Sequence, residues 1–196
     1  MKLVVAFIIN VLFIVLEIMV LCKLRNKKAI FKYYTYLMNF IGLISSLIFC
    51  VIAVFTSDLL SFAKGIQYVS TSGLLATMVI YSVFISKNNK ISDKDFNRVS
   101  GEVANIVLHY LCPFLAMLSL IICEREVVLN NDIWTAVVAL PSIIYWIIYL
   151  ILSVTKKWNE PYDFSSKNGN KILEVLTIIA MPLIFIGISI ILWEII

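Results

Sequence analysis

The chain has one histidine, four cysteines, four prolines and six glycines in 196 residues, and only 14% of it is charged. Each scarcity removes a class of function. One histidine, with no H-x-x-x-H or C-x-x-C pair, is a poor ligand set for zinc, so no metal site is expected. No Gly-rich phosphate loop is present and no internal repeat of about 20 to 50 residues, so no nucleotide-type cofactor and no solenoid are expected either. The cysteines, Cys22, Cys50, Cys112 and Cys123, all fall in or at the ends of apolar runs and read as packed free thiols rather than a disulfide framework.

What is abundant is apolar surface: 62% of the residues are hydrophobic and the mean hydropathy is +1.00. That lies well outside the range of globular domains and marks a membrane protein. A bilayer core of about 30 Å takes roughly 20 mostly apolar residues per helix. Six windows of that kind occur, at 3–22, 33–55, 66–87, 104–123, 133–154 and 172–195. The expected fold is all-α, a bundle of six transmembrane helices forming one domain over 1–196, with no room for a soluble domain. Met1-Lys2 precedes the first window, but that run is too long for a signal peptide, carries Glu17 and lacks a small-residue cleavage site; it reads as the first helix.

Lys and Arg counts orient the bundle. Lys23, Arg25, Lys27, Lys28 and Lys32 follow the first window; Lys87, Lys90, Lys94 and Arg98 follow the third; Lys156, Lys157, Lys167 and Lys171 follow the fifth. Only Lys2, Lys64 and Arg125 fall on the other side. Both termini are therefore expected outside, with three basic loops in the cytoplasm. Those loops account for the net charge of +4 without a nucleic-acid partner and favour anionic lipid.

Polar groups inside the membrane are costly, about 2.5 to 3.5 kcal/mol for a charge at mid-helix, so they should face the bundle interior. With this orientation they collect at one depth. At 1.5 Å per residue, His109 lies about 8 Å in from the cytoplasmic side and Glu17 at a similar level. Thr35 and Asn39 open the second helix, and Tyr81 and Tyr149 end the third and fifth. Thr35, Asn39, Gly42 and Ser46 recur at i, i+4, i+7 and i+11, and Asn105, His109 and Pro113 every four residues. Pro113 has no N–H for the carbonyl of His109, so a kink is expected there, with an acceptor left for a polar group, water or substrate. The small-polar stripe also suits close helix packing, and Glu17 also suits snorkelling toward Lys23 or Arg25.

Histidine moves protons near neutral pH, and a threonine hydroxyl attacks an ester carbonyl once a base takes its proton. Thr35 and His109 are thus a candidate nucleophile and base, with Asn39, Glu17, Asn105, Tyr81, Tyr149 and Tyr162 as candidates for a substrate or oxyanion pocket. The rival reading is a non-enzymatic binding or transport protein whose His109 and Glu17 line a polar cavity; visible inverted repeats are missing for a transporter.

KYYTYLMNF at 32–40, NIVLHYLCPF at 105–114, PSIIYWIIYL at 141–150 and WNEPYDF at 158–164 together resemble the bacterial six-helix relatives of the androgen-induced-gene membrane proteins. Eukaryotic members of that family are intramembrane threonine hydrolases of fatty acid esters of hydroxy fatty acids. The resemblance implies Thr35 as nucleophile and His109 as its histidine, with Asn39, Pro113, Tyr145, Pro161 and Tyr162 at recurring positions. It also implies a membrane lipid or fatty-acyl ester as substrate, and acyl transfer to water as the reaction. The string WNEP departs from the family's WYPY-type string.

Overall fold

The computed structural model describes residues 2–24, 33–56, 58–85, 101–124, 133–155 and 171–196, and these are helical throughout with no strand among them. We number the helices in chain order. Helix α1 is Lys2–Lys23 and α2 is Tyr34–Phe55. Helix α3 is Leu60–Ile80, continued by a π-helical turn at Tyr81–Ile85. Helix α4 is built of Glu102–Ile106, a π-helical segment Val107–Leu111, and Cys112–Glu124. Helix α5 is Ile133–Val137 and Ala139–Val154, and α6 is Lys171–Ile195.

Four helices, α1 to α4, are long and apolar enough to cross a membrane. The 22 residues of α1 or α2 reach about 33 Å at 1.5 Å per residue, which covers the hydrocarbon core. The described apolar stretches of the other two are shorter, Ala139–Tyr149 and Pro182–Ile195.

Helix α1 shows how lipid reverses the usual amphipathic logic. Ala6, Asn10, Phe13, Glu17 and Val20 form its buried stripe, while Val4, Ile8, Val11, Val15 and Ile18 stay exposed. Both stripes follow helical spacing, and the polar residues Asn10 and Glu17 are on the protein side. Lipid solvates the aliphatic face at no cost, whereas an amide or carboxyl needs protein partners. Helices α1 and α2 pack together, α1 also packs on α4, and α3 contacts α2, α4 and α6.

The central element is α3, of whose span 67% is buried against 28% for α1. It is also the least apolar of the four. It begins at Leu60, six residues before the window expected from hydropathy, because Lys64 is buried inside the bundle rather than left in a loop. Lys64 is thus an interior residue of α3 and not a marker of the outer loop. Small residues admit the neighbouring helices: a Cβ at Gly73 would overlap the side chain of Met38 on α2, and one at Gly65 the indole of Trp134 on α5.

Candidate functional site

The site starts from an irregularity in α4. Over Val107–Leu111 the helix widens, and the N–H of Cys112 bonds the carbonyl of Val107, five residues back. Pro113 follows immediately. In this register the next donor would serve the carbonyl of Leu108, and proline has none. The side chain of Asn39 on α2 supplies it, with Nδ2 at 3.4 Å from Leu108 O and 2.8 Å from Thr35 O. The free acceptor expected at His109 from α-helical registration is therefore shifted by one residue. Such π-helical segments concentrate at functional sites.

His109 sits on this widened turn and is fully buried. Its ring lies on that of Tyr81, with centroids 3.8 Å apart and planes within 15°. Tyr81 in turn accepts a hydrogen bond from Asn105 Nδ2 at 2.7 Å. The Tyr81 end of α3 is itself π-helical, so two widened turns face each other around the stacked pair. Asn105 and His109 are one turn apart on α4, which lets one residue hold the tyrosine that the other stacks on.

Thr35 is buried one turn before Asn39 on α2. The single amide of Asn39 therefore ties the Thr35 turn to the residue preceding His109. Among the described residues no hydrogen bond joins the Thr35 hydroxyl to His109. The orientation of the Asn39 amide follows from its two carbonyl neighbours: only N–H₂ can face both. Its remaining atom, Oδ1, is an acceptor without a hydrogen-bond partner, so Asn39 has no proton left for an oxyanion. Asn105 Oδ1 likewise lacks a hydrogen-bond partner.

Glu17 is fully buried on α1, with the Cys112 thiol beside its carboxyl group. It does not snorkel to Lys23. Tyr149 is buried on α5 in an aromatic cluster, with its ring 5.1 Å from that of Trp146 and 6.3 Å from that of Tyr145. Tyr34 joins α2 to this cluster through a ring contact with Tyr145 at 4.9 Å and a hydrogen bond to Ser142 at 2.8 Å. The structure thus joins His109, Tyr81 and Asn105 by direct contact, ties Asn39 and the Thr35 turn to the same stretch of α4 through the Leu108 carbonyl, sets Glu17 against Cys112 on the next turn, and packs Tyr149 into the same apolar core as Tyr81 and Leu108. Pro161 and Tyr162 lie outside the described residues.

Between α2 and α5 runs an apolar cleft of ≈ 590 Å³, lined by residues including Leu37, Ile41, Pro141, Ile144 and Tyr145. Leu37 and Ile41 form the cleft face of α2, whereas Thr35 and Asn39, two residues before each, lie on a different face and do not line it. Among the described residues no group of three His, Cys, Asp or Glu side chains is arranged to hold a metal ion.

A further polar tier escaped the sequence reading. Asn10, Gln67, Ser119, Ser45 and Ser70 are all buried and hydrogen-bonded to one another across α1 to α4. Its signal was present in the polar stripe Lys64, Gln67, Ser70 and Thr71 of α3, which the hydropathy window cut through. The chain matches no protein-family model, no curated protein and no solved structure.

Proposed function

We propose that this protein is an intramembrane lipid ester hydrolase in which Thr35 is the nucleophile and His109 its base. The observation that supports this reading most is the Asn39 bridge, because it fixes the Thr35 turn beside the widened turn that carries a fully buried imidazole. Burying a histidine among helices that face lipid is costly unless the ring serves a purpose, and stacking on Tyr81 fixes its plane.

In this mechanism a fatty-acyl ester enters laterally from the cytoplasmic leaflet of the bilayer. His109 takes the proton of the Thr35 hydroxyl, the alkoxide attacks the ester carbonyl, and the alcohol leaves with the proton from the imidazolium. Water then attacks the acyl-enzyme, giving up a proton to His109, and frees the fatty acid and Thr35. Tyr81 and Asn105 position the ring. The oxyanion donor is a group other than Asn39, whose N–H₂ is committed to two carbonyls.

The proposal includes a six-span arrangement in the cell membrane with both termini outside. The basic loops after α1, α3 and α5 then share the cytoplasmic side with His109, which is where the charge count places them. A second reading, a binding or transport protein with a His109 and Glu17 cavity, draws on Glu17, an acidic side chain buried completely beside Cys112.

Hydrolysis of fluorogenic medium-chain esters by purified protein separates the two. The enzyme reading expects turnover that falls by orders of magnitude in Thr35→Val and in His109→Ala, with partial retention in Thr35→Ser. Full activity in a well-folded Thr35→Val variant refutes the mechanism. Gradient-driven flux in liposomes without any ester hydrolysis replaces it with the second reading.

A further inference from the structure

The polar tier in the middle of the bundle is separate from the His109 site. Asn10 precedes Glu17 by seven residues on α1, about 10 Å along the axis. Its geometry can be read outward from one backbone carbonyl. Asn10 Nδ2 donates to Ala6 O at 2.8 Å and to Ser119 Oγ at 2.6 Å, which uses both amide protons and turns Oδ1 away. Gln67 meets that oxygen with Nε2 at 2.6 Å; the reverse orientation would set two carbonyl oxygens against each other. Gln67 Oε1 is thereby left buried, an acceptor with no hydrogen-bond partner, on a residue only 4% exposed.

The hydroxyls beside it are committed as well. Ser45 and Ser70 share a hydrogen bond at 2.8 Å, and each lies 3.0 Å from a carbonyl of its own helix, Gly42 O and Gln67 O. With these protons directed at oxygens, Asn10, Gln67, Ser45 and Ser70 present mainly lone pairs to the space between the helices, and the Ser46 and Thr71 hydroxyls add two oxygens that can rotate to accept or to coordinate. That space is a narrow gap lined by Asn10, Ser45, Ser46, Gln67, Ser70 and Thr71 among others, and nowhere does it admit a water-sized sphere.

We propose that this gap binds a small dehydrated monovalent cation, with sodium as the natural occupant. An unsatisfied buried carbonyl oxygen costs roughly 1 to 3 kcal/mol, and an electropositive ligand relieves it. A bare sodium ion is smaller than a water molecule and takes neutral amide and hydroxyl oxygens as ligands, whereas a water would have to force the helices apart. An anion finds only the Ser46 and Thr71 hydroxyls as free donors and meets the unpaired Gln67 Oε1. No carboxylate lines the gap, so a divalent ion lacks the charge compensation that such hard cations draw from Asp and Glu. Lys64, buried one turn away on α3, does not line the gap and has its own contact; its charge weakens a monovalent ion and opposes a divalent one further.

The test is the melting temperature of the purified full chain in detergent, titrated with NaCl, KCl or choline chloride at matched ionic strength, with equilibrium binding of radioactive sodium as a second readout. A ligand that binds only the folded state raises stability with the logarithm of its concentration above Kd. The expected result is a saturable rise in NaCl, a smaller one in KCl, none in choline chloride, and one sodium bound per chain. Gln67→Leu should abolish the sodium increment, Gln67→Glu should keep or strengthen it, and Thr71→Val should weaken it if Gln67→Leu fails to fold. Identical melting of the parent in NaCl and choline chloride overturns the proposal, as does a sodium increment that survives in both Gln67→Leu and Thr71→Val.

Discussion

Replacing Asn39 by Leu keeps the side-chain volume and removes the amide that caps Leu108. The Thr35 carbonyl suffers little, since a helix-interior carbonyl retains its backbone donor four residues on. Leu108 is different, because its backbone donor is missing at Pro113 and Asn39 Nδ2 at 3.4 Å takes that place. Inter-helix hydrogen bonds in membranes average about 0.6 and reach about 1.7 kcal/mol, and a buried acceptor left unmade costs about 1 to 3 kcal/mol. The expected loss is therefore about 1 to 2 kcal/mol, or roughly 2 to 8 °C in Tm for a chain of this size. Pro113→Ala restores a backbone N–H. Whether α4 keeps its widened turn or relaxes to α geometry, Leu108 O then gains a main-chain donor, so the cost of Asn39→Leu should shrink by about 1 kcal/mol in the Pro113→Ala background. The assay is a double-mutant cycle on reversible unfolding in bicelles or detergent. Strict additivity of the two substitutions would refute the account of the widened turn.

Other outcomes follow from the same geometry. Tyr81→Phe keeps the stacking surface for His109 and loses the bond from Asn105, so it should cost about 1 kcal/mol or less and leave most turnover; Tyr81→Leu should lose both, read as a larger fall in kcat than in melting temperature. Gly65→Leu should displace Trp134 and lower Tm, with tryptophan fluorescence shifting in the same variant, while Val4→Leu on the exposed face of α1 should change neither. For orientation, a membrane-impermeant thiol reagent applied outside should reach a cysteine at Asp58, in the turn before α3, and not one at Lys90; the opposite pattern would dismantle the assignment of His109 to the cytoplasmic leaflet.

The helical, membrane-embedded character of the chain was legible because long apolar runs have one physical outcome in a bilayer. The stripe of Thr35, Asn39, Gly42 and Ser46 was legible for the same reason, as helical spacing puts four small or polar groups on one face, and all four are buried or pack inward. What hydropathy concealed was the start of α3, the six residues from Leu60 that precede the window at 66–87. Averaging over a window penalises Lys64, Gln67, Ser70 and Thr71, yet Gln67 bonds Asn10 on α1 and Ser70 bonds Ser45 on α2, which no local average can register. The one-residue shift from His109 to Leu108 was equally hidden, since the widened turn packs against α1, α2 and α3, and a pattern read along α4 alone holds no trace of them. Glu17 had two readings from sequence, and only its packing against Cys112 decides that it stays inside.

The central claim, that Thr35 and His109 act as one unit on acyl esters, is tested most directly by covalent labelling. A serine- and threonine-directed alkyl fluorophosphonate is incubated with the purified protein, and the modified residue is identified by peptide mass spectrometry. The account predicts stoichiometric phosphonylation of Thr35, at least tenfold slower in His109→Ala and absent in Thr35→Val. No labelling of the folded parent, or equal labelling at Thr35 with and without the histidine, would contradict it.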